Sequence, residues 1–392
     1  EGSKSFNFKM HFKSTLLFWV AVCATNWVFA QGMIKPGAHQ TSSFIPLLEG
    51  KKIGLVAHQA SRIETVHLVD SLLALKIDLV RVFAPEHGFR GLADNGEKVA
   101  DQIDLQTGIP IISLYGKNRK PQPEILQDID LMVFDLQDVG TRFYTYLSTL
   151  HNVMEACASE GIPLLVLDRP NPNAHLVDGP ILNLKFKSFV GMHPVPIVYG
   201  MTIGEYAQMI NGEKWLDQNL KCDLTVIPIH NYSHNTPYIL PVKPSPNLPN
   251  AQSIHLYPSL CLLEQTVISV GRGTEKQFQI YGHPDLPPSD FSFIPQPNQG
   301  AKHPKHKGIL CYGKDLTFVE APKGIKLTWL IEAYTLFEEK ESFFLKGFTR
   351  IAGTELLQQQ IENGLSEYQI KKSWSKDLNE FKKIRKKYLI YP

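Results

Sequence analysis

The residues best suited to chemistry stand just beyond short apolar runs. Val82-Phe83-Ala84 leads into Pro85-Glu86-His87-Gly88-Phe89-Arg90-Gly91. Leu131 to Asp135 leads into Leu136-Gln137-Asp138-Val139-Gly140-Thr141-Arg142, and Pro163 to Leu167 leads into Asp168-Arg169-Pro170-Asn171-Pro172-Asn173. Two further runs end in His58-Gln59 and Tyr115-Gly116. Glu86 is the strongest candidate acid: a carboxyl partly desolvated at the end of an apolar strand has its pKa raised toward the working pH and can act as a general acid. The structural alternative is an ion pair with Arg90 that holds the loop. The other residues have bland readings too, since Asp at a strand end often caps the next helix and Arg beside Asp often forms a satisfied pair. Taken together they form a polar rim dense in donors and acceptors, which suits neutral polyols such as sugars. Phe143, Tyr144 and Tyr146 would supply ring faces for stacking.

Several chemistries lack their signatures. No G-x-G-x-x-G follows the first strand, no Walker loop is present, and no G-x-S-x-G elbow marks a serine hydrolase. The pairs His230/His234 and His303/His306 have metal-like spacing but lie in Pro-rich or Lys-rich segments, so neither a metal nor a cofactor is expected. Forty basic against thirty-eight acidic residues leave a formal charge of +2, which gives no field to gather nucleic acid or anionic lipid.

A specific architecture has to bring these residues together. Lys52–Ala57, Leu79–Phe83, Pro110–Tyr115, Leu131–Asp135 and Pro163–Leu167 read as strands. Helical spacing falls between them at Ile63–Leu75 and Leu147–Ser159. Short apolar strands separated by helices predict a parallel sheet covered on both faces, with ligands bound beyond the strands' carboxyl ends. The pattern restarts after Trp215 with Cys222–Ile229. A proline-rich segment follows at 237–258, then an apolar run at Thr266–Val270, Gly308–Tyr312, a helix at Thr328–Lys340 and a lysine-rich helical tail. The expected division is therefore 32–216 and 217–392, with an exposed loop at 294–307.

Residues 10–31 carry cationic groups, an apolar run from Leu16 to Val22, and Val28-Phe29-Ala30 before Gln31, the pattern of a secretory signal with a small-residue cleavage site. Export to the periplasm or beyond is expected, with no membrane-spanning segment once the signal is removed. A lipoprotein anchored at Cys23 is disfavoured by the bulk of Val22. Cys157, Cys222, Cys261 and Cys311 form no C-x-x-C pair and read as buried thiols rather than a disulfide framework.

The strings VFAPEHGFRG (82–91), DLQDVGTRFYTYLSTL (135–150), LDRPNP (167–172), DGPIL (178–182), SPNLP (245–249) and YPSLCLLEQTVISVGRGTEKQF (257–278) resemble the NamZ-type exo-β-N-acetylmuramidases. The likeness runs from about Lys51 to the C-terminus. It implies an α/β protein with a Rossmann-like N-terminal domain, a smaller α/β C-terminal domain and an active site in the cleft between them. The expected substrate is a peptidoglycan fragment bearing a terminal β-linked N-acetylmuramic acid, and the family's proposed catalytic glutamate maps onto Glu86.

Glycoside hydrolysis needs an acid for the leaving oxygen and a second group that stabilises the oxocarbenium ion or activates water. Beside Glu86 and His87, the candidates are Asp138, Glu264 and Glu275, or the substrate's own acetamido group. The lactyl carboxylate of muramic acid needs a cation; Arg272, in a Gly-Arg-Gly turn after an apolar strand at Thr266–Val270, is first choice and Arg142 second, the bland alternative for Arg272 being a pair with Glu275. Candidate binding residues are His58, Arg90, Gln137, Arg142, Tyr144, Tyr146, Asp168, Arg169, Asn171, Asn247, Arg272 and Glu275. A sugar-capturing binding protein without catalysis, or a cell-wall amidase or deacetylase, would use much of the same rim. The binding protein would be favoured by an exposed Glu86 far from the cleft.

Overall fold

The computed structural model describes Gly2 and residues 32–86, 88–89, 101–116 and 118–392. Residues 10–31, read above as a secretory signal, and His87 and Arg90 lie outside the described residues.

Seven strands make the main sheet: β1 (Ile53–Ala57), β2 (Leu79–Ala84), β3 (Gln102–Ile103), β4 (Pro110–Ser113), β5 (Leu131–Asp135), β6 (Leu164–Leu167) and β7 (Leu224–Ile227), in spatial order β3-β4-β2-β1-β5-β6-β7. All pairings are parallel except that of the edge strand β3 with β4. The chain winds outward from β1 through β2 and β4, then crosses back to β5. Strand order thus reverses at the junction of β1 and β5, where open α/β sheets place their ligands.

Side chains alternate between two cores, as the pleat requires. Ile53, Leu55, Val133 and Leu165 pack on one face with Phe44 and Leu48 of helix α1 (Thr41–Leu48) and with Leu68 and Leu72 of α2 (Leu68–Ala74). Val56, Met132, Phe134 and Val166 face the other way, onto Leu147, Leu150 and Met154 of α3 (Tyr146–Glu160) and Ile203 of α4 (Ile203–Gly212). That second core continues without a break into Tyr257, Phe278, Trp329 and Trp374.

The C-terminal part adds α5 (Ala251–Leu260), an antiparallel sheet of β8 (Ile280–His283), β9 (Ser292–Phe293) and β10 (Cys311–Asp315), then α6 (Thr328–Leu336) and α7 (Glu367–Lys386). Helix α7 opens on a Ser366/Gln369 capping box and buries Ile370, Trp374, Leu378 and Phe381 along one stripe. Asp178 accepts hydrogen bonds from Trp374 Nε1 and Lys371 Nζ and ties this helix to the loops after β6.

Three sequence expectations change. Residues 63–75 do not form one helix: a two-stranded ribbon, Arg62–Ile63 with Val66–His67, precedes α2 and closes around Glu64, whose φ is 54°. Leu224–Ile227 extends the main sheet as β7, past the boundary expected at residue 216. Its half-exposed edge position gives it the weak apolar pattern that read as a new start. Thr266–Val270 forms isolated bridges to Phe344 and Gly282 rather than a strand. Cys157, Cys222, Cys261 and Cys311 are free and buried, and no helix among the described residues is long and apolar enough to cross a membrane.

Candidate active site

Glu86 stands two residues beyond β2 and is 5% exposed. It lines a cavity of about 220 Å³ together with Tyr115, Arg119, Tyr144, Thr145, Phe189 and Asn247. From farther along the chain come Tyr257, Glu264, Arg272 and Phe278, so residues on both sides of the expected division build one wall. Thr145, the N-cap residue of α3, donates its hydroxyl to Glu86 Oε2 at 2.6 Å. Tyr115, beyond β4, feels the same carboxyl: burial and then the charge of Glu86 raise its phenol above the ordinary value.

A second chain of hydrogen bonds reaches Glu86 from the switch point. The Gln137 amide donates to His58 Nε2 at 2.9 Å, which leaves Nδ1 as the protonated ring nitrogen; it donates to the Tyr146 hydroxyl at 3.1 Å. Tyr146 in turn reaches the Glu86 carbonyl at 3.4 Å. The ends of β1, β2 and β5 are thereby connected through side chains buried from solvent. This arrangement fixes the backbone carrying Glu86 while Thr145 fixes its carboxylate.

Residues 53–252 match the family described as exo-beta-N-acetylmuramidase NamZ, N-terminal, and residues 255–391 match its C-terminal counterpart. The chain belongs to the NamZ family. It is 40% identical over 376 residues to the peptidoglycan beta-N-acetylmuramidase NamZ of Bacillus subtilis (strain 168), covering 88% of each chain. Two crystal structures of DUF1343 family proteins from Bacteroides fragilis NCTC 9343 share the fold. One superposes with a TM-score of 0.86 at 44% identity and the other with 0.78 at 27%, each covering 92% of this chain and 99% of its own.

Within this NamZ-family chain, several residues expected at the ligand serve the scaffold instead. Arg142 is 1% exposed and donates to the carbonyls of Pro180, Val195, Ile351 and Ala352, so it offers nothing to a carboxylate. Arg169 forks onto Asp135, with Nη2 to Oδ2 at 2.8 Å. Asp168 accepts from the Thr202 and Tyr391 hydroxyls and from the Gly204 amide, and burial pushes it up to about 6. Asn171 bonds the Met201 carbonyl and the Asn173 amide, and Gln137 bonds the carbonyls of Asp138 and Pro170. Each satisfies backbone groups that loops at the strand ends would otherwise bury unpaired.

Asp138 is 4% exposed and is not among the residues lining the cavity. It accepts from Tyr199 and from the Gly140 amide, and burial raises it to about 6. The turn that holds it needs Gly140: φ is 79°, and a Cβ there would lie 2.3 Å from Asn171 Oδ1. Arg272 does line the cavity, but its fork is closed by Glu264, with Nη2 to Oε2 at 2.7 Å and Nε to Oε2 at 2.9 Å. Burial works against ionisation of Glu264, yet Arg272 and then Lys305 hold its carboxyl below the ordinary range. The partner of Arg272 is thus Glu264, not Glu275, which lines a separate cavity.

Tyr144 and Asn247 line the cavity, Tyr144 with its hydroxyl on the Pro244 carbonyl. Sequence reasoning left Thr145, Arg119 and Phe189 unassigned. Thr145 sits inside the string 135–150 beside the tyrosines and was legible there as a hydroxyl at a helix start. Arg119 and Phe189 come from loops without periodicity, and only the fold brings the Arg119 guanidinium 4.3 Å above the Phe189 ring.

Proposed function

We propose that this chain is a glycoside hydrolase that releases N-acetylmuramic acid from the non-reducing ends of peptidoglycan-derived glycans. The observation that carries the reading is Glu86 itself: a carboxyl buried at a strand end, aimed into a cavity of sugar-ring scale and held by Thr145, in a chain of the NamZ family.

Glu86 is the general acid. Its carboxyl, held by the Thr145 hydroxyl, faces the cavity from which it would protonate the glycosidic oxygen. The remaining carboxyl candidates are committed elsewhere, Glu264 to Arg272 and Asp138 to Tyr199 and Gly140. That leaves the substrate's acetamido oxygen as the group that meets the anomeric carbon, the substrate-assisted course known among glycosidases. Tyr144 and Tyr257 supply ring faces to the sugar.

The lactyl carboxylate pairs with Arg119. It lines the cavity, and among the described residues no carboxylate stands within ion-pair distance of its guanidinium. Arg272 cannot take this role without giving up Glu264. The residue 10–31 pattern supports export, so the enzyme acts on wall fragments outside the cytoplasmic membrane.

Incubation with the disaccharide N-acetylmuramyl-β-1,4-N-acetylglucosamine tests the reading directly: free N-acetylmuramic acid should accumulate. Saturable binding with no sugar released would assign the chain to capture instead, and release of a peptide or of acetate would assign it to amidase or deacetylase chemistry.

A further inference from the structure

We propose that a second cavity beside the catalytic one is the subsite for the departing sugar, a neutral N-acetylhexosamine; this rests on the glycosidase reading above. The cavity holds about 460 Å³ and shares Ser245 with the wall of the catalytic cavity. Its lining includes Gln59, Lys243, Glu275, Gln277, Asn298 and Gln299. One cation and one acid cancel, and four primary amides remain. Asn298 is spent on the Thr274 carbonyl and the Gly300 amide and Gln59 Nε2 on backbone carbonyls, so the wall turns the Gln277 and Gln299 amides and Gln59 Oε1 to the cavity without net charge, the chemistry that hydroxyl and acetamido groups require. A wall peptide, with its several carboxylates, would need a net positive surface that these residues do not provide.

Two observations tie the cavity to a ligand and to the catalytic centre. Gln277 is 6% exposed and its Oε1 has no hydrogen-bond partner; Gln59 Oε1 and, at the seam, Asn247 Oδ1 are in the same condition. Buried acceptors are normally paired, and two on the wall of this cavity with a third on the adjoining catalytic wall match a ligand rich in hydroxyl donors. The partition between the cavities is also pinned from both sides. Gln59 Nε2 donates to the Lys243 and Pro244 carbonyls at 3.0 and 2.9 Å, while the Tyr144 hydroxyl donates to the same Pro244 carbonyl from the catalytic side.

The experiment compares Gln277→Ala and the exposed-site variant Gln299→Ala with the wild type on two substrates, the disaccharide above and the 4-nitrophenyl glycoside of N-acetylmuramic acid. Each variant should lose about 10-fold in kcat/KM on the disaccharide, the scale of one hydrogen bond, and keep its rate on the aryl glycoside. Free N-acetylglucosamine should inhibit the wild type and lose potency against the variants. Unchanged disaccharide kinetics in both variants, or equal losses on both substrates, would overturn the subsite. Melting curves separate a Gln277→Ala folding defect from a binding loss, and Gln299→Ala carries the test if that variant is unstable. A wild type inert on both substrates would overturn the glycosidase reading first, and the subsite with it.

Discussion

Thr145 Oγ1 donates to Glu86 Oε2 across 2.6 Å and joins the N-cap residue of a helix to the acid at the end of a neighbouring strand. The contact orients the carboxyl toward the cavity. Thr145→Val should therefore lower kcat by about 10-fold with KM nearly unchanged, the scale of one hydrogen bond to a charged group, and Thr145→Ser should restore the rate. A variant that altered KM alone would place Thr145 in ground-state binding instead.

Arg119 is assigned to the lactyl carboxylate, and its substitution should discriminate between sugars. Arg119→Ala is expected to reduce kcat/KM on muramic acid substrates by about 10- to 100-fold while leaving any residual action on the glucosamine analogue alone. Equal losses on both would make Arg119 a stacking partner of Phe189 and nothing more.

Arg142 should behave in the opposite manner. Its guanidinium satisfies four main-chain carbonyls, two of them more than two hundred residues away in sequence. Arg142→Met should cost about 3 kcal/mol or more of stability, seen as a large fall in melting temperature. The folded fraction should keep the wild-type preference for muramic acid; a change in that preference at unchanged stability would return Arg142 to the ligand.

Asp138 has a signature in pH. Burial raises its carboxyl from the ordinary 3.8 to about 6, so the folded state holds a proton that the unfolded chain releases between those values. Stability from this group is full below about 3.8 and is lost as pH rises through about 6. Asp138→Asn keeps the shape and removes the titration. Relative to wild type, the variant should gain about 2–3 kcal/mol between pH 4 and pH 7. Asp168 titrates in the same window in both proteins, so the difference between them isolates Asp138. A constant difference across that range would contradict the assignment.

The strand ends were readable because a parallel sheet covered on both faces demands continuous apolar runs, and such runs must stop where the ligand-binding edge begins. Glu86 could be singled out for that reason. What local sequence does not encode is the destination of a polar side chain once the loop folds. Arg142, Asp168, Arg169 and Asn171 have the same residue types as a binding rim, but carbonyls and amides brought from elsewhere in the chain claim them first. Arg272 shows the same at short range. The turn Cys261–Gln265 carries Glu264 onto its guanidinium, while Glu275, three residues after it in sequence, faces another cavity. Arg119, which among the described residues has no carboxylate in ion-pair reach, lies in a loop with no pattern to mark it.

The most direct measurement is the rate of Glu86→Gln on two leaving groups. The substitution preserves the shape and the Thr145 contact and removes the transferable proton. On the natural disaccharide, whose leaving oxygen needs protonation, we expect turnover to fall by about 10²- to 10⁴-fold. On the 4-nitrophenyl glycoside, whose leaving group departs unaided, the loss should be much smaller, with an unchanged melting temperature in both cases. Wild-type rates on the disaccharide, or equal losses on the two substrates, would contradict Glu86 as the general acid.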